Sequence, residues 1–444
     1  MKRLITISLV LCVVSCQTEL VPISQSVDDS ARENVLNPNL RSIDEALSIA
    51  EEFIDELDSD MLEDSSNASF SSTKAFLPMR TVCSVQKIMD GSACLTKSSS
   101  KDESPLMYLV NYNDNMGFAL MGADKRLPYV YAISNEGHLE LSDTLENPGL
   151  AFVLDGIREH ASNALAEVKS TPVYDSHSKS VLVTVDSKMP FFGNSDLVSW
   201  HQRAPYNKYC YTKDGKSAVV GCVAVACTQL MAHYGWPKEI DGVKYRWREM
   251  IKGSNDEMVA RFMAKIGEPQ YLNMNYGENS SSASVVNALK TFTAFGYTHS
   301  GELSYDEDKL IMALKGNKDD APMKYGPIMS VGYYQNQDGS YSGHAWVIDA
   351  FIKKAIYMDR TPDNGEDNPD IFVGYAPLMV HCIWGWKTDG YNFNGYYYVS
   401  RNTPAFNLQF GPFDKNGNRM LDKDFSPTCY NKFLTIVADF YVNK

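Results

Sequence analysis

At 444 residues the chain is long for one domain and divides into two or three by the usual size of roughly 150 residues each. A composition of 44% apolar, 22% charged and 11% aromatic residues excludes a wholly disordered or collagen-like chain. With 41 Lys and Arg against 55 Asp and Glu, the net charge of −14 lacks the basic footprint of a nucleic-acid binder, so no nucleic-acid partner is expected. Residues 28–64 hold 13 of the acidic side chains, with only Arg32 and Arg41 against them, whereas residues 191–444 carry a net charge of −1. This asymmetry divides the chain into two parts with different jobs.

Met1, Lys2 and Arg3 precede the apolar run Leu4–Val14, which is too short to span a bilayer and has the length of a signal-peptide core. Val13-Val14-Ser15-Cys16 resembles a lipoprotein box, so residues 1–15 are expected to be removed and Cys16 lipidated. The chain is then exported and tied to the cell envelope, with the outer membrane as the expected site, through acyl chains alone. Without Cys12 and Cys16, seven cysteines are left. In an exporting compartment that odd number points to at least one free, reactive thiol, while Cys83 and Cys94 are candidates to pair.

An extended linker runs to residue 39. Ser42 and Glu45 have capping-box spacing, and Ile43, Ala46, Leu47, Ala50, Phe53, Ile54 and Leu57 follow a helical period. Asp58–Thr73 reads as a loop. Met107–Tyr112 and Phe118–Met121 flank Asn113-Asp114-Asn115-Met116-Gly117 as a hairpin, a further strand fits Tyr129–Ile133, and Gly149–Val168 has a helical pattern. The domain boundary is placed after residue 188, within a polar stretch.

In the second part, Val223–Tyr234 suits a buried helix ended by Gly235-Trp236-Pro237. Helices are expected over Asp256–Ile266, Ser284–Phe295 and Asp306–Leu314, and strands over Ile328–Tyr333, Ala345–Phe351, Leu378–Trp384, Gly395–Val399 and Phe433–Tyr441. Helices first and strands second is an α+β order. The acidic run Asp414–Asn418 has Gly at the fourth position instead of the sixth that a calcium loop requires, Asp363–Asp370 reads equally well as a solvated turn, and neither metal nor cofactor is expected.

Gly221-Cys222 stands directly before the buried helix, where unpaired backbone N–H groups and the helix dipole favour thiolate. Cys227 suits a plain core role. A thiolate that attacks a carbonyl needs a base, and His344, after Gly343 at the start of a strand, is placed to project into a cleft. His233 lies eleven residues along the Cys222 helix, about 16 Å away at 1.5 Å per residue, which is too far to share a proton. His381, in an apolar strand, reads as a satisfied core residue.

Trp200-His201-Gln202-Arg203-Ala204-Pro205-Tyr206-Asn207, Gly221-Cys222-Val223-Ala224-Val225-Ala226, Gly343-His344-Ala345-Trp346-Val347-Ile348-Asp349 and Trp384-Gly385-Trp386 follow one another along the chain. In that order these four stretches resemble the streptopain family of papain-like bacterial cysteine peptidases. Tyr108–Tyr112, Gly117–Leu120 and Ala123–Pro128 resemble that family's propeptide. The resemblance implies a papain-like α+β domain, with a helical part and an antiparallel sheet part, over residues 189–444. An α+β inhibitory prodomain would precede it over 40–188 and act as its own inhibitor, with polypeptides as substrates. It implies Cys222 as nucleophile, His344 as general base and acid, Gln202 as oxyanion donor together with the Cys222 N–H, and Trp384 as a shelter for the pair. Ile383 stands where the family often has Asn and cannot accept a hydrogen bond through its side chain. Asp349 is expected on the opposite face of the strand from His344. Orientation of His344 is left to a backbone carbonyl, to Asn392 or Asn394, or to packing under Trp384. The same residues also fit a binding module with a decayed site, or a papain-like cell-wall amidase.

Overall fold

The computed structural model describes residues 39–67, 80–89, 104–140, 147–167, 200–315, 326–335, 341–352, 355–358, 371–375, 378–387, 390–399, 410–413, 419–421 and 432–442, with two-residue strands at 19–20 and 180–181. Cys16, Cys94 and both acidic runs weighed as calcium loops lie outside the described residues.

In the front part, α1 (Ile43–Asn67) is followed by strands β1 (Val82–Ile88), β2 (Met107–Tyr112), β3 (Phe118–Gly122) and β4 (Val130–Ser134), then by α2 (Pro148–Glu167). Ser42 Oγ accepts the Glu45 N–H at 3.1 Å, as the capping pattern predicts. The helix runs on to Asn67, past the loop expected from Asp58, because Met61 and Leu62 extend the apolar period in the sequence. Strand β1 has no counterpart among the predicted elements. Of its seven residues only Val85 is fully buried, so its alternation is faint.

The second part holds α3 (Cys222–Tyr234), α4 (Asp256–Ile266), α5 (Val285–Ala294) and α6 (Glu307–Lys315), with strand β5 (Glu302–Ser304) before α6 and a short helix at Trp247–Ile251. Strands β6 (Ile328–Gln335), β7 (Tyr341–Ile352), β8 (Met379–Ile383), β9 (Gly395–Tyr398) and β10 (Lys432–Val437) follow. This is the predicted α+β order.

Both parts share one sheet. Its order is β1-β2-β3-β4-β9-β8-β7-β6-β10-β5, with Glu19–Leu20 beyond β1, and β4 joins β9 antiparallel through Ser134↔Gly395, Ile133↔Tyr396 and Ala132↔Tyr397. Strand alternation sorts the cores. Ala345 and Val347 of β7 face the cluster built on α3, whereas Trp346 and Ile348 face Leu150, Phe152, Val153 and Ile157 of α2. Helix α1 covers the other face of the front strands with Ala46, Ala50, Phe53 and Ile54, in a cluster that also takes in Ile352, Met379 and Tyr396 of the second part. Fully burying such a side chain contributes about 1.5–3 kcal/mol, so α2 is held firmly across the second part's sheet.

His160 marks this seam. Its Nε2 lies 2.9 Å from the Tyr398 hydroxyl of β9, and its ring is 4.8 Å from that of Tyr398 and 6.2 Å from that of Tyr131. Burial lowers its pKa from 6.5 to about 4. Packing therefore favours the neutral imidazole: the contribution is complete above pH 6.5 and is lost as pH falls from 6.5 toward 4. The full loss is on the order of 3 kcal/mol. Thermal unfolding of the full chain is expected to show the two parts loosening over that window, with a smaller pH dependence in His160→Phe. An unchanged dependence in that variant sinks this account. His201, which burial, Lys387 and Arg203 also hold at about 4, adds slope over the same window.

Candidate active site

Helix α3 begins without a side-chain cap. Asn255 and Ser284 cap α4 and α5 by accepting N–H bonds at 3.1 Å each, but Gly221, at φ +93°, offers no side chain to the first N–H groups of α3. An L-residue there would be strained and would crowd Met274 and Ser281. The N-terminal amides are thus left to serve the residue that follows, Cys222.

Cys222 is partly exposed. Burial disfavours its thiolate, but the charge and hydrogen bond of His344 and the backbone N–H groups of Ala345 and Val223 outweigh burial and lower its pKa. Cys227, fully buried five residues on, is pushed the other way, mainly by burial. Cys83, Cys210, Cys222, Cys227 and Cys382 are free. Of Cys210, Cys222, Cys227 and Cys382, only the Cys222 thiol is shifted toward ionisation.

His344 is 2% exposed, and its Nε2–H donates to the carbonyl oxygen of Trp384 at 3.0 Å. A carbonyl only accepts, so the proton is fixed on Nε2 and Nδ1 is left to face the thiol. Of the acceptors considered for His344, the structure selects this backbone carbonyl. Neither Asn392 nor Asn394 bonds the ring directly. Asn394 instead accepts the Trp384 N–H through Oδ1 at 3.1 Å, and the Trp384 indole N–H donates to Phe393 O at 2.8 Å. Trp384 is fully buried, and Trp386 stands edge-on to the imidazole at 5.9 Å.

Asp349 is engaged elsewhere. The register of β7 against β8 shifts between Ile348 and Ala350, and Asp349 Oδ1 accepts from His381 Nδ1 at 2.6 Å. His381 is therefore satisfied, as expected, by a partner that linear spacing does not reveal.

Gln202 lies beside the approach to Cys222, because its carbonyl accepts the Val220 N–H at 2.9 Å. It is 6% exposed, and its side-chain Nε2 is buried without a hydrogen-bond partner. An amide donor in that state suits an oxygen that becomes negative only during a reaction.

The front part closes over this group. Asn147 Oδ1 accepts the N–H groups of Gly149 and Leu150 at 3.1 Å each, Pro148 holds the first helical position, and α2 starts there. A Cβ on Gly149 would lie 2.7 Å from His344 Cδ2 and 2.7 Å from Trp384 Cε3. The helix therefore touches the imidazole and the indole with bare backbone. Asn-Pro-Gly is a helix-start signal in the sequence, but what that start touches is a tertiary fact.

Among known proteins, the family model described as the peptidase C10 family matches residues 200–397, the span holding Gln202, Cys222, His344 and Trp384. A second model, the Spi protease inhibitor, matches residues 29–161, which includes most of α2. The thiol protease/hemagglutinin PrtT of Porphyromonas gingivalis is 25% identical over 351 residues, 70% of this chain. The chain spans 35% of that relative's length. Solved structures with matching segments include a fragment of Prevotella intermedia prointerpain A, at 19% identity and TM-score 0.44, covering 82% of this chain and 100% of that one. Active wild-type interpain A cysteine protease from the same organism matches at 19% identity and TM-score 0.31, over 62% of this chain and 99% of its own.

Proposed function

Because the chain belongs to the peptidase C10 family of cysteine peptidases and carries a Spi-type inhibitor segment ahead of its peptidase segment, we propose that it is the proenzyme of an endopeptidase that works through a Cys222–His344 ion pair. The observation that carries this reading is the thiol at the uncapped start of α3, bonded to His344 and lowered in pKa despite its burial.

The chemistry follows from the placement. The Cys222 thiolate adds to the carbonyl carbon of a peptide bond, and the oxyanion takes hydrogen bonds from Gln202 Nε2 and the Cys222 N–H. His344 gives its proton to the departing amine, leaving an acyl-enzyme. Water, deprotonated by His344, then releases the acyl group and restores the pair. Trp384 excludes water from the imidazole and holds its Nε2 proton.

Residues 40–188 act as the inhibitory prodomain and 189–444 as the peptidase domain, and cleavage in the polar stretch Lys169–Lys188 separates them. In the uncleaved chain α2 sets its N-terminus against His344. The backbone at Gly149 fills space beside the dyad. The Leu4–Val14 run and Val13-Val14-Ser15-Cys16 support export and lipidation at Cys16, with the protein anchored at the outer membrane and the peptidase domain released on processing.

Processed, reduced protein is expected to take up a thiol-directed covalent inhibitor on Cys222, located by mass spectrometry, and to hydrolyse casein. Cys222→Ser loses both properties and Cys227→Ser neither. Label that survives Cys222→Ser refutes the assignment. Cleavage of peptidoglycan fragments without cleavage of unfolded protein replaces it with an amidase, and a folded, labelled protein that cleaves neither leaves a binding module.

A further inference from the structure

An imidazole that shuttles protons between a thiol and a leaving amine must keep one ring nitrogen tied to an acceptor, or it loses its tautomer and its aim. Ile383, whose side chain carries no acceptor, leaves that task to the main chain, and the carbonyl of Trp384 performs it. A main-chain carbonyl is only as well aimed as the residue that bears it. Gly385, the next residue, is at φ +61°, so the chain turns sharply immediately after this carbonyl and does not brace it as a strand would.

What braces it comes from the 390–395 segment. Asn394, 4% exposed, accepts the Trp384 N–H through Oδ1 at 3.1 Å, while Phe393 O accepts the indole N–H at 2.8 Å and the Tyr397 hydroxyl at 2.6 Å. Phe393 is at φ +55°, a conformation that L-residues other than Asn and Asp rarely adopt and that here turns its carbonyl toward both donors. The main-chain carbonyl of Asn394 in turn accepts the hydroxyl of Ser134, at the end of β4. The side chain of Asn394 thus holds one end of the residue whose other end holds His344.

We propose that Asn394 is a positioning residue for the reaction: it fixes the Trp384 backbone, and through that backbone the Nε2 proton of His344. Asn394 touches neither thiol nor substrate and acts through Trp384. The proposal rests on the Cys222–His344 reading and adds to it the source of the histidine's orientation.

The test reads thiol chemistry in the intact full-length chain. The rate of Cys222 alkylation by iodoacetamide is measured against pH, with the modified residue located by mass spectrometry and Cys222→Ser as the blank. Wild type is expected to react well below the ordinary thiol range. Asn394→Leu, which removes the acceptor, is expected to slow alkylation at about pH 6 by roughly tenfold or more, the equivalent of one unit in the thiol titration. Asn394→Asp keeps an acceptor and adds a negative charge near the imidazolium. It is expected to retain the low-pH reactivity and to move the loss of the ion pair to higher pH. Ser134→Ala, which leaves the Trp384 bond in place, is expected to follow the wild-type profile.

If Asn394→Leu does not fold, Asn394→Ala removes the same acceptor with a smaller side chain and decides in its place. A wild-type profile in the folded acceptor-free variant overturns the proposal, while the Cys–His reading stands. A wild-type chain whose Cys222 reacts only in the ordinary thiol range overturns that reading, and the proposal with it.

Discussion

His344→Ala is expected to lower kcat/KM of the processed protein by roughly 10³–10⁴-fold, mostly through kcat. Two losses combine. General acid–base catalysis is worth roughly 10²–10⁴-fold by itself. Cys222 also depends on His344 for its ionisation, because burial works against the thiolate and the largest opposing influence is the imidazolium. Without that charge the thiol titrates upward, so alkylation near neutral pH slows together with hydrolysis. His381→Ala is the matched control. It breaks a 2.6 Å bond to Asp349 and is expected to cost stability while leaving the pH dependence of Cys222 alkylation unchanged. Fast alkylation of Cys222 at acid pH in His344→Ala would remove His344 from the mechanism.

Gly149→Val is expected to release the prodomain. Replacing Gly gains at most about 1 kcal/mol of helix propensity in an interior position, and less in a first turn. Against this, even the first added carbon would lie 2.7 Å from two buried rings, those of His344 and Trp384, neither of which is the free end of a flexible chain. Overpacking of this kind costs typically about 1–3 kcal/mol, a weakening of roughly 5- to 150-fold in the hold of the helix. Hydrolysis of casein by the uncleaved chain is expected to rise accordingly, and Gly149→Ala to show a smaller change in the same direction. Activity equal to wild type in both variants would show that the start of α2 plays no part in inhibition.

The sequence reveals most where one element's own spacing decides the outcome. Met107–Tyr112 and Asp256–Ile266 have the boundaries their patterns predict, and Cys222 is legible because Gly221 and an apolar helix place it at a helix start. Three features are hidden for a common reason. The acceptor for His344 is a main-chain oxygen, which no residue type announces. The partner of His381 lies 32 residues away in the chain, beside a register shift between two strands. The contact of Gly149 with the histidine belongs to the docking of one part on the other. Strand β1 escapes detection for a different reason: with Cys83, Ser84, Gln86 and Lys87 among its seven residues, it lacks the apolar alternation that marks a strand.

The ladder between β4 and β9 separates two events that are easily taken as one. A cut in the connecting stretch severs a covalent bond, yet it leaves main-chain pairing from Gly395 to Tyr397 and the seating of α2 intact. The clipped prodomain is still stitched on, and freedom for the peptidase comes only when the seam unzips or the cover is digested. What is then laid bare is a strand edge with unpaired N–H and C=O groups, the kind of surface that captures other chains. Until that moment the inhibitor also serves as a hem, keeping that edge from fraying into aggregation.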